Sequence, residues 1–208
     1  EIAQCLVGSE MCIRDRSVSR EEVSAMISIG VEEGVFQMKE NKMIQNLIKL
    51  DKVKSQSIMT PRTVVATAPE SMSLKEFYQD GKYKFYSRIP IYNDSEDYIT
   101  GYVLRQTVLE KLAEDRFDMC LKDVARPILS FPENSSVSTV WEQMLEKKEH
   151  ISILIDEYGC FWGIVTMEDI IETALGFEIV DEKDSVTDMQ KLARDKWQKK
   201  LAETKISD

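Results

Sequence analysis

The stretch FWGIVTMEDIIETALG, residues 161–176, changes character in its middle. Phe161 to Val165 is apolar and β-branched, the composition of a buried strand. From Met167 the chain reads as a helix, and Gly176 stands where a C-terminal cap belongs. Thr166 and Asp169 lie at the join. A helix that begins after Thr166 leaves its first N–H groups unpaired and gathers partial positive charge there. The two side chains have two possible roles. T-x-x-D is close to a capping box, in which both satisfy only the backbone. The same helix end also suits a phosphate, and a carboxylate can accept two vicinal hydroxyls at once.

Working outward, the chain says the same thing twice. SIMTPRTVVATAPESMSLKEFYQ, YSRIPIYND and ITGYVLRQTVLEKL are answered by DVARPILSFPENSSVSTVWEQML, HISILIDEYG and FWGIVTMEDIIETAL. Pro61 answers Pro127 at an offset of 66 residues, Ile91 answers Ile155 at 64, and Gly101 answers Gly163 at 62. Each unit reads strand, helix, strand, strand, helix. Val137, Val140, Trp141, Met144 and Leu145 mark an amphipathic helix. ISILI (151–155) and GIV (163–165) read as short buried strands, with a DEYG turn between them. The fold class expected is α+β: two β-α-β-β-α repeats packed as one pseudo-two-fold module with flanking helices.

Before the repeats, Ser19-Arg-Glu-Glu22 predicts a helix start near residue 20, and Gly30 and Gly34 weaken its continuation. Met43, Ile44, Leu47 and Ile48 predict a second helix that ends before SIMTPR (57–62), where Pro61 disfavours helix at Thr60. Residues 1–16 show no periodicity. Their CLVGSEMCIRDR resembles a translated sequencing adapter, and they are set aside as a non-native leader. After Gly176 an acidic loop and a helix over 186–201 are expected. The domain partition that follows is 17–52, acidic linker helices; 53–115 and 116–177, the two repeats; and 178–208, loop and terminal helix.

Of 208 residues, 43% are hydrophobic and 31% charged, and the net charge is −10, from 27 basic and 37 acidic residues. That balance argues against nucleic acid or an anionic membrane surface as a partner of the whole chain. A local pocket for a small anion is not excluded by it. Four cysteines without CxxC spacing read as free thiols in a reducing compartment, and the single His150 has no metal partner nearby in sequence. No apolar run reaches the ~18 residues that suggest a membrane span. The chain does not begin with Met and reads as an excised soluble part. No Walker loop, Ser-His-Asp set or Cys–His pair is visible, so the chain reads as a non-enzyme. The acidic run Glu178–Asp188 lacks the order of an EF-hand loop.

The repeated unit resembles a CBS domain, and the pair a Bateman module, across residues 53–176. The best motif is Gly163-Ile-Val-Thr166-Met-Glu-Asp169. More narrowly, EEGVFQMKENKMIQNLIKLDKVKSQSIMTPR, YSRIPIY, DEYGCFWGIVTMEDIIE and LGFEIVDEKDSVTDMQKLAR are similar to the cytosolic part of the CorC/CNNM family of magnesium-transport (haemolysin-like) proteins. The resemblance implies a site for ATP, with Mg²⁺ carried on the phosphates, in the cleft between the repeats. Asp169 would accept hydrogen bonds from the ribose hydroxyls, and Thr166 would bond to the phosphate or ribose side. Arg88 would face the phosphates, with Tyr86, Ile89 and Pro90 shaping the adenosine pocket and Thr60 bordering the base. It further implies a transmembrane domain ahead of the helices at 20–50, a place on the cytoplasmic side of the cell membrane, and a flat homodimer formed through the CBS helices.

The first unit departs from the motif: Leu104 and Thr107 stand where the second has Thr166 and Asp169. One nucleotide site per chain is therefore expected. The asymmetry also bears on the opening question, since Leu104 starts a helix at the matching place and is a poor cap. It favours a ligand role for Thr166 and Asp169. Arg88, whose counterpart by the Ile91–Ile155 alignment is Ser152, is not demanded by the strand; it is either a surface residue or a bidentate phosphate grip. Tyr86 and Tyr92 read as packing residues more readily than as stacking platforms. Two rival functions are a dimerisation module whose nucleotide site has decayed, and a CBS sensor attached to another enzyme or channel.

Overall fold

The computed structural model describes residues 18–177. The leader, the acidic run and the helix expected over 186–201 lie outside the described residues. Two helices come first. α1 (Arg20–Glu32) opens with the expected capping box, Ser19 Oγ accepting from Glu22 N–H while Glu22 accepts from Ser19 N–H. It ends just before Gly34, whose φ of +76° suits a residue without Cβ. α2 (Met38–Lys49) returns alongside α1. Ser24 Oγ donates to Gln45 Oε1 at 2.6 Å, and Arg20 pairs with Asp51.

The first repeat contains β2 (Ala68–Pro69), α3 (Leu74–Gln79), β3 (Arg88–Tyr92), β4 (Ile99–Leu104) and α4 (Arg105–Ala113), preceded by the two-residue strand β1 (Thr60–Pro61). The second contains β5 (Leu129–Pro132), α5 (Val137–Lys147), β6 (Ile151–Ile155), β7 (Phe161–Thr166) and α6 (Met167–Leu175). Strand, helix, strand, strand, helix is thus realised twice. The DEYG turn forms as read: Asp156 Oδ1 accepts from Tyr158 and Cys160 N–H, and Gly159 takes φ +80°.

Each sheet has its helices on one face. In the first unit Ile89, Ile91 and Val103 pack with Leu74, Phe77 and Val108 of α3 and α4. In the second Leu154 and Val165 pack with Val140, Met144 and Ile170 of α5 and α6. Polar atoms at the helix starts are satisfied by Ser73 and Ser136, each accepting from the N3 amide.

The lead-in segments are exchanged. β1 belongs to the first repeat in sequence but pairs antiparallel with β7, giving a sheet in the order β1-β7-β6-β5. Conversely Arg126, ahead of β5, bridges antiparallel to Tyr102 on β4, beside the sheet β2-β3-β4. Leu50 and Met59 join the second unit's core, and Leu121 the first unit's. The hydrogen bonds repeat in the same sense. Val137 N–H donates to Val53 O and Leu74 N–H to Met119 O, both at 2.9 Å. Two glycines record the closeness of this exchange. A Cβ on Gly163 would lie 2.5 Å from Thr60 O, and one on Gly101 would lie 2.5 Å from Arg126 O. No side chain fits there.

The same bonds correct the repeat alignment in its middle. Arg88 faces Leu104 across the β3–β4 ladder, whereas Ile151 faces Thr166 across β6–β7. Arg105 N–H donates to Ser87 O as Met167 N–H does to His150 O. The middle offset is therefore 63, not 64, and the counterpart of Arg88 is Ile151, not Ser152. Ser152 instead matches Ile89: both are fully buried on the helix side. The loops 93–98 and 156–160 differ by one residue, and chance identity of Ile91 and Ile155 hid that difference.

Candidate functional site

Strand alternation turns Ile89, Ile91 and Val103 toward the helices, so Arg88, Pro90, Tyr102 and Leu104 point the other way. In the second sheet Leu154 and Val165 face the helices, and Ile151, Ile153, Ile164 and Thr166 face away. Those far faces are also buried. Tyr102, Ile151 and Ile153 are each at most 3% exposed, yet none belongs to a helix-side cluster. The opposite unit meets Tyr102 directly. Tyr102 O–H donates to Glu149 Oε2 at 2.7 Å. At the far end Phe161 N–H donates to Asp97 O at 2.7 Å, and Arg62 Nη1 to Asp97 Oδ1 at 2.7 Å. The two sheets thus meet along a cleft with two pseudo-symmetric halves.

One half holds most of the residues read from sequence. Thr60 pairs with Ile164, so its side chain shares the face that carries Thr166. Arg88 and Pro90 are on the facing side of the first sheet, Arg88 half-buried and Pro90 buried. The symmetry that relates the units carries the Tyr102–Glu149 contact onto Ile164 and Tyr86, so Tyr86 falls on the same half. Ile89 does not. Its side chain is fully buried among Phe77, Val103 and Val108, so only its backbone lies toward the cleft. No ion pair among the described residues involves Arg88.

Thr166 and Asp169 answer the capping half of the opening question. Thr166 Oγ1 accepts from Asp169 N–H at 3.3 Å, and Asp169 Oδ2 accepts from Thr166 N–H at 2.7 Å and from Thr166 Oγ1–H at 2.8 Å. The box is complete. The matching helix start at Leu104 has no side-chain cap. Helix α6 is nine residues long, and its other end meets α2: Lys42 Nζ donates to Gly176 O at 2.9 Å. The candidate site and the N-terminal helices therefore lie at opposite ends of one short rigid element.

The other half is filled differently. Tyr102, which sequence reading passed over, stands where the first half has Ile164, and Glu149 stands where it has Tyr86. Burial raises the Tyr102 phenol above its ordinary pKa, and the Glu149 carboxylate raises it further. Arg126 opposes that shift, by a hydrogen bond and by its charge. Elsewhere, a cavity of about 360 Å³ opens on the first unit beside Phe77, Asp80, Lys84, Arg105 and Leu109, and includes none of the predicted site residues. Among the described residues no cluster of three or more His, Cys, Asp or Glu is placed to hold a metal ion, and no helix is long and apolar enough to cross a membrane.

Residues 121–176 match the CBS domain family. Over 191 residues the chain is 32% identical to a UPF0053 protein of Synechocystis sp., covering 92% of this chain and 55% of that protein. It is 29% identical over 170 residues to the magnesium and cobalt efflux protein CorC of Buchnera aphidicola, covering 82% of this chain and 60% of that one. The chain thus spans little more than half the length of these curated relatives. The similar solved structures include two of the CBS domain of the bacterial CNNM/CorC family Mg²⁺ transporter. One, in complex with an inhibitor, is 30% identical with a TM-score of 0.73, covering 78% of this chain and 100% of that one. The other, in complex with ATP, is 28% identical with a TM-score of 0.63, covering 66% and 98%.

Proposed function

Given that the chain belongs to the CNNM/CorC family of CBS modules, we propose that it is the regulatory part of a divalent-cation transport protein and takes ATP, with Mg²⁺ on the phosphates, in the half-cleft of Thr60, Arg88 and Thr166. The observation that carries this reading is the convergence there of groups from both units: Thr60 and Thr166 on one sheet face, Arg88 on the opposing one. Arg88 is the cation for the phosphates and can grip them bidentately. Thr60 and Tyr86 border the base and sugar, Pro90 packs against them, and Ile89 contributes backbone alone. Asp169 receives the ribose hydroxyls while its Oδ2 keeps the cap. Mg²⁺ is held by the triphosphate rather than by a protein cage, since that ion retains waters and takes phosphate oxygens. The similar domain solved with ATP supports the choice of ligand.

Binding acts by preference. Nucleotide shifts the arrangement of the two units only as far as it favours one state. Asp169 at the start of α6 and Lys42 at its end give that shift a route to α1 and α2, and from there to a transmembrane part. In this reading residues 53–115 and 116–177 work as one non-catalytic unit on the cytoplasmic side of a membrane, paired as a homodimer. Exposed Tyr78, Leu109, Leu145 and Ile171 on the outer helices suit such a pairing.

The completed capping box favours one competing reading, a module with a decayed nucleotide site. Calorimetric titration with ATP and magnesium separates the two. Uptake by the wild type, with Asp169→Asn losing roughly tenfold or more in affinity while the fold is retained, supports the site. No heat and no thermal shift at millimolar ligand supports decay, and unchanged affinity in Asp169→Asn removes that carboxylate from the site.

A further inference from the structure

The two halves of the cleft serve as controls for one another. Pseudo-symmetry places Tyr102 where the other half has Ile164, Glu149 where it has Tyr86, and Arg126 where it has Thr60. The aliphatic Ile164 of one half is matched in the other by a longer phenol, whose oxygen finds a partner on the opposite unit. The phenol is 2% exposed, so it fills its half rather than lining an open one. A buried tyrosine needs a partner for its O–H, and a carboxylate is a strong one.

We infer that Tyr102 occupies the second half-cleft as a built-in substitute for a ligand, and that its bond to Glu149 braces the two units on that side permanently. The nucleotide half holds no such phenol: Asp97 joins the units at the far end as well, so the two halves differ in what fills them rather than in whether they are tied. The assignment of the unfilled half to nucleotide rests on the function proposed above; the brace itself does not. It also supplies a reason, separate from Leu104 and Thr107, for a single ligand per chain. Even a threonine and an aspartate restored at 104 and 107 would meet an occupied space.

Two measurements test it. The first uses no nucleotide: urea unfolding of wild type, Tyr102→Phe, Glu149→Ala and the double variant. A direct bond makes the two changes non-additive, with each lowering the folded-to-unfolded ratio by roughly tenfold and the pair costing little more than one. Strict additivity overturns the brace. The second is calorimetric titration with ATP and magnesium. Leu104→Thr with Thr107→Asp keeps the wild-type stoichiometry, and adding Tyr102→Ile raises it by one per chain. Gain of the extra nucleotide with Tyr102 still in place, or no gain once it is removed, overturns the occlusion. If the wild type takes up no nucleotide at all, the proposed function fails while the unfolding cycle still decides the brace.

Discussion

Gly163→Ala tests the exchange of lead-in segments directly. The added Cβ would sit 2.5 Å from Thr60 O and 2.9 Å from Met59 Sδ, and a backbone oxygen cannot swing aside as a flexible side chain can. β1 must retreat by most of an ångström. That movement strains its pairing with β7 and the bond from Arg62 N–H to Trp162 O, now 3.0 Å. Overpacking of this kind costs about 1–3 kcal/mol, and each weakened backbone bond adds up to about 1 kcal/mol. A loss of about 2–4 kcal/mol is therefore expected. With a urea dependence of about 2 kcal/mol per molar, the unfolding midpoint falls by about 1–2 M. Gly101→Ala, whose Cβ would meet Arg126 O at 2.5 Å, should match it. Gly81→Ala is the control, with nothing within 4 Å and no positive φ, and should stay within about 0.5 kcal/mol of wild type. A Gly163→Ala midpoint indistinguishable from the Gly81→Ala one would refute the close crossing of β1 over β7.

Burial, helped by the Asp80 carboxylate, pushes the Tyr83 phenol up to about 12. A folded value above the unfolded value of about 10 means a stabilisation present below pH 10 and lost as pH rises toward 12. Ultraviolet titration should show one tyrosine ionising late and together with unfolding; ionisation near pH 10 in the folded chain would contradict it. Lys42→Met removes the bond to Gly176 O from an exposed lysine, so global stability should change by less than about 1 kcal/mol. Hydrogen exchange in α2 should nevertheless quicken, and unchanged exchange would sever α6 from the N-terminal helices. Leu109→Lys with Leu145→Lys should convert a dimer to a monomer in sedimentation at unchanged unfolding midpoint; persistence of the dimer would move the contact off these helices.

Much of this fold was legible in the sequence because local signals agreed with one another. Ser19 and Glu22, the DEYG turn and Gly176 all act within a few residues, and each formed as its chemistry required. The repeat was legible from Pro61, Pro127, Gly101 and Gly163, whose spacing survives loop changes. What stayed hidden depended on partners distant in the chain. Nothing in TP at 60–61 says that it will pair with a strand a hundred residues on. The slip that matched Arg88 to Ser152 arose from a one-residue loop difference that only the ladder register resolves. Nothing near Tyr102 in the chain marks it out, because its partner Glu149 lies in the other unit. The family resemblance groups Ile89 with Arg88 and Pro90, although successive strand residues face opposite ways and only the Ile89 backbone lies toward the cleft. Sequence did foresee the tension at Thr166 and Asp169. The cap is realised, and a ligand on the same residues is a question for titration.

The traded strands bear on how such a chain can be cut. A protease that nicks the stretch after α4 would leave two pieces, each holding a ribbon of the other, and they should stay together under native conditions. A single repeat made alone would meet water with β4 bare along one rim and its hydrophobic lead-in unattached. Such an open rim invites a matching strand. Its cheapest remedy is a twin: two identical half-length chains, clasped through the same paired ribbons that one polypeptide here supplies to itself.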